Sequence, residues 1–185
     1  MAVDPAVSPL LSELPIDAVG RLYRLAGLPL AAAQFAHQEL VRRTTVITGE
    51  TKDMFYQGDQ TLVYAAIGEG TTAIGDYAFK DCRSLISIVI PDSVTSIGAH
   101  AFAGCTSLAA VHVPDSVTSI GKNAFQGCES LISIVIPDSV TSVGDLAFYE
   151  CSSLAAVHIP DSVTSVGYGA FKGYSSLAYQ ATTTQ

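Results

Sequence analysis

The side chains best suited to chemistry in this chain recur at a single interval. Cys82, Cys105, Cys128 and Cys151 keep a strict period of 23. Four thiols in a column could hold a soft metal or cycle through disulfides. The spacing matches neither a CxxC pair nor a zinc signature. Equivalent positions on stacked units keep their β-carbons about 5 Å apart, whereas a disulfide needs roughly 3.8 Å. The column therefore reads as buried thiols packed as small hydrophobes. Unpaired thiols also favour a reducing, intracellular compartment or a site too buried to oxidise.

Other reactive types fall into the same columns. Asp92, Asp115, Asp138 and Asp161 each follow a proline. Such carboxylates could bridge calcium, but the turn's own backbone is the nearer partner. His112 and His158 share one strand position two units apart, about 10 Å, too far for one ion. Ser93 and Thr95, with their copies at 116 and 118, 139 and 141, and 162 and 164, form an outward S-x-T grid. Hydroxyl grids on β-solenoids resemble those of ice-binding proteins. No nucleophile has triad partners, and no G-x-S-x-G, Walker loop or HExxH occurs. The chain is read as non-enzymatic, with no cofactor and no metal.

The element that positions these columns is a repeat. Phe79, Phe102, Phe125, Phe148 and Phe171 keep the period, each with a glycine four residues earlier. Leu62, Leu85, Leu108, Leu131, Leu154 and Leu177 keep it too. A unit this short has no second layer to bury its apolar face, so the units must stack. In "LISIVI" (85–90), Ile88 and Ile90 point inward while Ser87 and Val89 point outward. Proline and aspartate then break the strand. "SVTSIG" reads as a second short strand with Val94 and Ile97 inward, and Gly98 as a turn. "AHAFAGC" (99–105) reads as one helical turn facing the core with Ala101, Phe102 and Cys105.

The repeated string "IPDSVTSIGxxAFxxC", headed by L-x-x-I-x-I, closely resembles the BspA-like, or Treponema pallidum type, leucine-rich repeat. The resemblance covers about residues 61–185 and implies a curved β-solenoid of five to six rungs. It also implies adhesion or protein–protein interaction rather than catalysis, and a cell surface as one setting. The expected fold is thus an α+β leucine-rich-repeat solenoid at 61–185 behind a small helical cap at 1–60. In that cap Ile16, Val19, Leu22 and Leu25 have helical spacing, and "LPLAAAQFAHQELVRR" reads as a second helix. The segment also looks faintly like an F-box, since Leu14, Pro15 and Asp17 match its opening. That resemblance implies a ubiquitin-ligase adaptor, although the tryptophan usual near its end is missing.

Composition narrows the partner. Of the 185 residues 49% are apolar and 14% charged, which excludes a disordered chain. Beyond residue 60 four basic residues face ten acidic ones, carrying six of the eight net negative charges. Such a surface repels nucleic acid. No run of eighteen apolar residues spans a bilayer. "LAGLPLAAAQFA" lies far from Met1, behind Asp4, Glu13 and Asp17, and does not read as a secretory signal.

The expected function is a scaffold that presents a rigid strand face to a protein partner. The outward positions expected to carry it are Tyr64, Ser87, Val89, Ala110 and His112. Ser133, Val135, Ala156, His158 and Tyr179 complete the set. The last strand, near Leu177 to Ala181, offers a free edge for self-association or another chain.

Overall fold

The computed structural model describes residues 44–47 and 56–173. Two parallel sheets, with strands numbered in chain order, run along the stack. One holds β1 (Thr44–Ile47), β2 (Tyr64–Ile67), β4 (Ser87–Val89), β6 (Ala110–Val111), β8 (Ser133–Val135) and β10 (Ala156–His158), adjacent in that order. The other holds β3 (Ala73–Ile74), β5 (Ser96–Ile97), β7 (Ser119–Ile120), β9 (Ser142–Val143) and β11 (Ser165–Val166). Tyr64, Ser87, Ala110, Ser133 and Ala156 fall in register, so four full turns of the repeat separate the first from the last. Thr44 pairs with Tyr64, a shorter step than any later one.

Each rung is shaped by its own sequence. Val94 N–H donates to Pro91 O at 3.1 Å, and Val117, Val140 and Val163 repeat the bond. This closes the turn between the two sheets without the aspartates. Asp92, Asp115, Asp138 and Asp161 stand exposed with no side-chain hydrogen bond among the described residues, contrary to the expected capping.

The third side corrects an expectation. The described residues contain no helix. Ala101, Ala103 and Cys105 donate three residues back to Gly98, His100 and Phe102, closing successive turns. The alternate N–H groups of His100, Phe102 and Gly104 donate instead to Lys122, Ala124 and Gln126 of the next rung, at 2.7–2.8 Å. Half the segment's donors thus serve the neighbouring rung, which no helix permits. Left-handed residues enforce this path: Tyr77, His100, Asn123 and Leu146 form one column with φ of 55–60°. Gly58, Asp81, Gly104, Gly127, Glu150 and Gly173 form another.

The core lies between the three sides. Phe79, Phe102, Phe125 and Phe148 are fully buried and stack at 5.2–5.3 Å between ring centres. Each burial contributes roughly 1.5–3 kcal/mol. Phe171 extends the ladder at one end and Tyr56 at the other, 5.4 Å from Phe79. The inward positions expected from the sequence, Ile88, Ile90, Val94, Ile97, Ala101, Phe102 and Cys105, are all buried.

The glycine that opens each turn has a different role from the one expected. Gly98, Gly121, Gly144 and Gly167 are not left-handed. A β-carbon on Gly121 would lie 2.6 Å from the Gly98 carbonyl carbon and 2.7 Å from Ala99 N. These glycines let one backbone pass close over the next.

The two proposed cap helices and the F-box-like segment fall outside the described residues. So do Leu177, Tyr179 and the C-terminal strand edge.

Candidate binding face

The groups most capable of chemistry are engaged in the scaffold. All four described thiols are buried and unpaired. Cys105 Sγ donates to Phe79 O at 3.0 Å, and Cys128 and Cys151 make the same contact with Phe102 O and Phe125 O. Cys82 donates to Tyr56 O. Burial pushes the Cys82 thiol up to about 11 and raises Cys105 and Cys128 well above the usual thiol range. A thiol held so firmly in its protonated form is a poor nucleophile and metal ligand.

The hydroxyl grid is similarly committed. Ser93 and Ser139 donate to Thr71 O and Val117 O at 2.8 and 2.7 Å. Thr95, Thr118, Thr141 and Thr164 each donate to the backbone carbonyl one rung earlier, at 3.0–3.3 Å. Apart from Ser162, whose buried hydroxyl has no partner among the described residues, the hydroxyls staple rung to rung, so their hydrogens are not offered to a lattice of water. Among the described residues no cluster of three or more His, Cys, Asp or Glu is arranged to hold a metal ion.

The outer face of the β1–β10 sheet remains. Val135 is 66% exposed, and Ser133, His112 and His158 are exposed beside it. Tyr64, Val89 and Ala110 are half-buried on the same face. Ala156 holds its register position opposite Ser133. Ser87 departs from expectation: it is only 9% exposed, and its hydroxyl has no partner. Its register neighbours are Tyr64 and Ala110.

One row of the face was missed in the sequence. Val63, Ile86, Ala109, Ile132 and Ala155 are linked rung to rung by backbone hydrogen bonds at the strand entry. Ile86 and Ile132 are 39% and 59% exposed. The leucine before each marks the core and drew the apolar reading inward. Ile86 and Ile132 stand just before β4 and β8, so the alternation within the strands does not carry them inward. No Lys, Arg, Asp or Glu occupies any of these outward positions. Past the strand exits, charge begins at the aspartate column.

A solenoid with one short parallel strand per turn of the repeat, a leucine at its head and a second short strand after the proline is a leucine-rich repeat. A match to the BspA type leucine rich repeat region covers residues 53–183 in six copies, and the chain belongs to that family. It is similar in structure to the leucine-rich repeat protein of T. pallidum, at 29% identity and a TM-score of 0.59, over 68% of this chain and 75% of that one. A leucine-rich cell surface protein of Faecalibacterium prausnitzii matches at 28% identity and a TM-score of 0.49, over 68% and 44%. A leucine-rich repeat protein of Bacteroides ovatus matches at 23% and 0.45, over 71% and 50%. No curated protein matches the chain. Among the described residues no helix is long and apolar enough to cross a membrane.

Proposed function

We propose that the chain is a non-enzymatic interaction or adhesion module whose working surface is the outer face of the β1–β10 sheet. The observation that carries this reading is the pairing of rigidity with apolar exposure. Ile86, Ile132 and Val135 are held by a hydrogen-bonded sheet yet exposed to solvent, with no charge among them. Contiguous exposed apolar surface marks interaction sites. Binding through it costs little ordering, because the backbone is fixed beforehand. The thiols, threonines and most of the serines are occupied within the stack, whereas Ile86, Ile132 and Val135 on this face remain exposed to solvent.

The test is affinity capture from native material with three baits. The wild-type chain and a Ser119→Asp control on the other sheet should retain the same protein. An Ile132→Asp, Val135→Asp double variant should lose it. Equal retention by all three would refute the assignment of the face.

A further inference from the structure

The face has a two-rung rhythm. The rungs of β4 and β8 present Ile86 with Val89 and Ile132 with Val135. The rungs of β6 and β10 present Ala109 with His112 and Ala155 with His158 at the same two positions. Along one row isoleucine alternates with the smaller alanine, and along the other histidine alternates with the smaller valine, over four consecutive rungs.

An even number of alternating rungs has a geometric consequence. Reversing the order of large-small-large-small gives small-large-small-large. A second copy turned over about an axis parallel to the strands therefore meets the first as its complement. Ile86 falls opposite the second copy's Ala155, and Ala109 opposite its Ile132. Val89 falls opposite His158, and His112 opposite Val135. Each contact occurs twice, as a closed two-fold interface requires. From this register we propose that the chain pairs with a second copy of itself, ridge into groove, across the outer face of the β1–β10 sheet.

Charge supports this choice of face. The chain carries a net charge of −8, so two copies repel over most of their surfaces. On this face the four rungs bear no Lys, Arg, Asp or Glu; the two histidines are the one ionisable residue type there. The pairing does bring the two aspartate columns, Asp92 to Asp161, along the same border. That repulsion is screened within about 8 Å at physiological ionic strength. Added salt thus strengthens this dimer. The footprint is small: four rungs of ~4.8 Å by four residues of ~3.3 Å cover about 250 Å² per copy. That is well below a standard interface, so the pairing is weak and its test needs concentrations up to about 1 mM.

The proposal rests on reading this face as the interaction surface, and sedimentation equilibrium on the full chain, from about 1 μM to 1 mM, tests it. The wild type is expected to dimerise reversibly, more tightly as salt rises. Ala109→Ile sets isoleucine against isoleucine twice per dimer and should raise the dissociation constant at least ~10-fold. Adding Ile132→Ala restores large against small and should recover wild-type affinity to within about threefold. Ala155→Ile and its rescue by Ile86→Ala give an independent second pair at an exposed position. A merely sticky face would behave oppositely, since each added isoleucine would tighten it. A wild type monomeric throughout, tightening by a single Ala→Ile change, failure of both rescues, or weakening with salt would each overturn the proposal. If the wild type is monomeric while the Ile132→Asp, Val135→Asp variant still loses its captured partner, the face reading stands and self-pairing alone falls.

Discussion

Gly121 and Gly127 lie in the same rung, and alanine should be costly at each for a different reason. At Gly121 the new β-carbon would sit 2.6 Å from the Gly98 carbonyl carbon, against an ordinary contact of 3.4 Å or more. The obstacle is backbone, so no side chain can move aside. Relief requires the rungs to part locally by about 0.8 Å, taken from the difference between those distances. Gly121 N donates to Ile97 O and His100 N to Lys122 O, both at 2.8 Å. The same displacement carries them to about 3.6 Å, past the limit of a useful hydrogen bond. Two lost bonds at ~1 kcal/mol each, with overpacking of 1–3 kcal/mol, give roughly 3–5 kcal/mol for Gly121→Ala. At Gly127 the nearest atom would be 3.9 Å away, and only the φ of +68° opposes a side chain. That costs about 1–2 kcal/mol. Urea denaturation of both variants, followed by far-UV circular dichroism, measures the difference. A cost at Gly121 no greater than at Gly127 would refute the close-approach account of the glycine column.

Glu150 holds a left-handed position, φ 60°, in a column otherwise occupied by glycine or, at one rung, aspartate; Glu150→Gly should raise stability by about 0.5–1 kcal/mol in the same urea assay, and a loss would remove strain as a factor there. Phe125→Ala should cost roughly 3–5 kcal/mol and Phe171→Ala clearly less, because Phe171 is only partly buried; equal shifts in the urea midpoint would contradict this. At pH 8 a thiol with a pKa of about 11 is only ~0.1% thiolate, so a maleimide should leave the native protein nearly unlabelled and modify all four cysteines in denaturant. Burial, then Lys80 and Lys122, lower the pKa of His100 below its usual range. The unfolded chain therefore takes up a proton first, and stability should decline as pH falls through about 6.5; His100→Asn should flatten that decline in urea titrations at pH 7.5 and 5.5.

The columns were legible in the sequence because stacking forces every rung to repeat what its neighbours need. Phenylalanine, leucine, cysteine and the inward Ile and Val follow directly from the period. The glycine column was the right residue for the wrong reason: a turn was expected, and the structure shows a backbone crossing. The turn side was misread because alanine-rich "AHAFAGC" has helical composition. Its contrary signal lay in the left-handed columns, where glycines at 104 and 127 and Asn123 recur at positions a helix does not favour. "TTVITGETKDMFYQGDQ" (44–60) reads as a strand and loop, and β1 is that strand; its place in the sheet and Tyr56 escaped because the first step is shorter than the period of the repeat and tyrosine replaces phenylalanine in the ladder. Nine of the ten expected face positions lie on described strands or directly after one, although Ser87 is sheltered. The isoleucine row was overlooked because its residue type suggests core.

Variation within the chain separates scaffold from surface. A position that contacts its own copy in the next rung cannot change alone. Ser93 recurs unchanged at 116, 139 and 162, with Gly70 at its place in the first rung, and Thr95 recurs unchanged from Thr72 to Thr164, although both lie toward solvent. Most of the serine hydroxyls, and all the threonine ones, bond the preceding rung. The outer row of the β1–β10 sheet reads Val, Ile, Ala, Ile, Ala, and the row beyond it alternates valine with histidine. The isoleucines, alanines and valines of these rows have no polar side-chain atom to bond a neighbouring rung, so they can change without costing the stack a hydrogen bond. Freedom from the stack is what allows a surface to be shaped to a partner. By that criterion the threonine column belongs to the frame despite its exposure, and recognition belongs to Ile86, Ile132, Val135 and the positions between them.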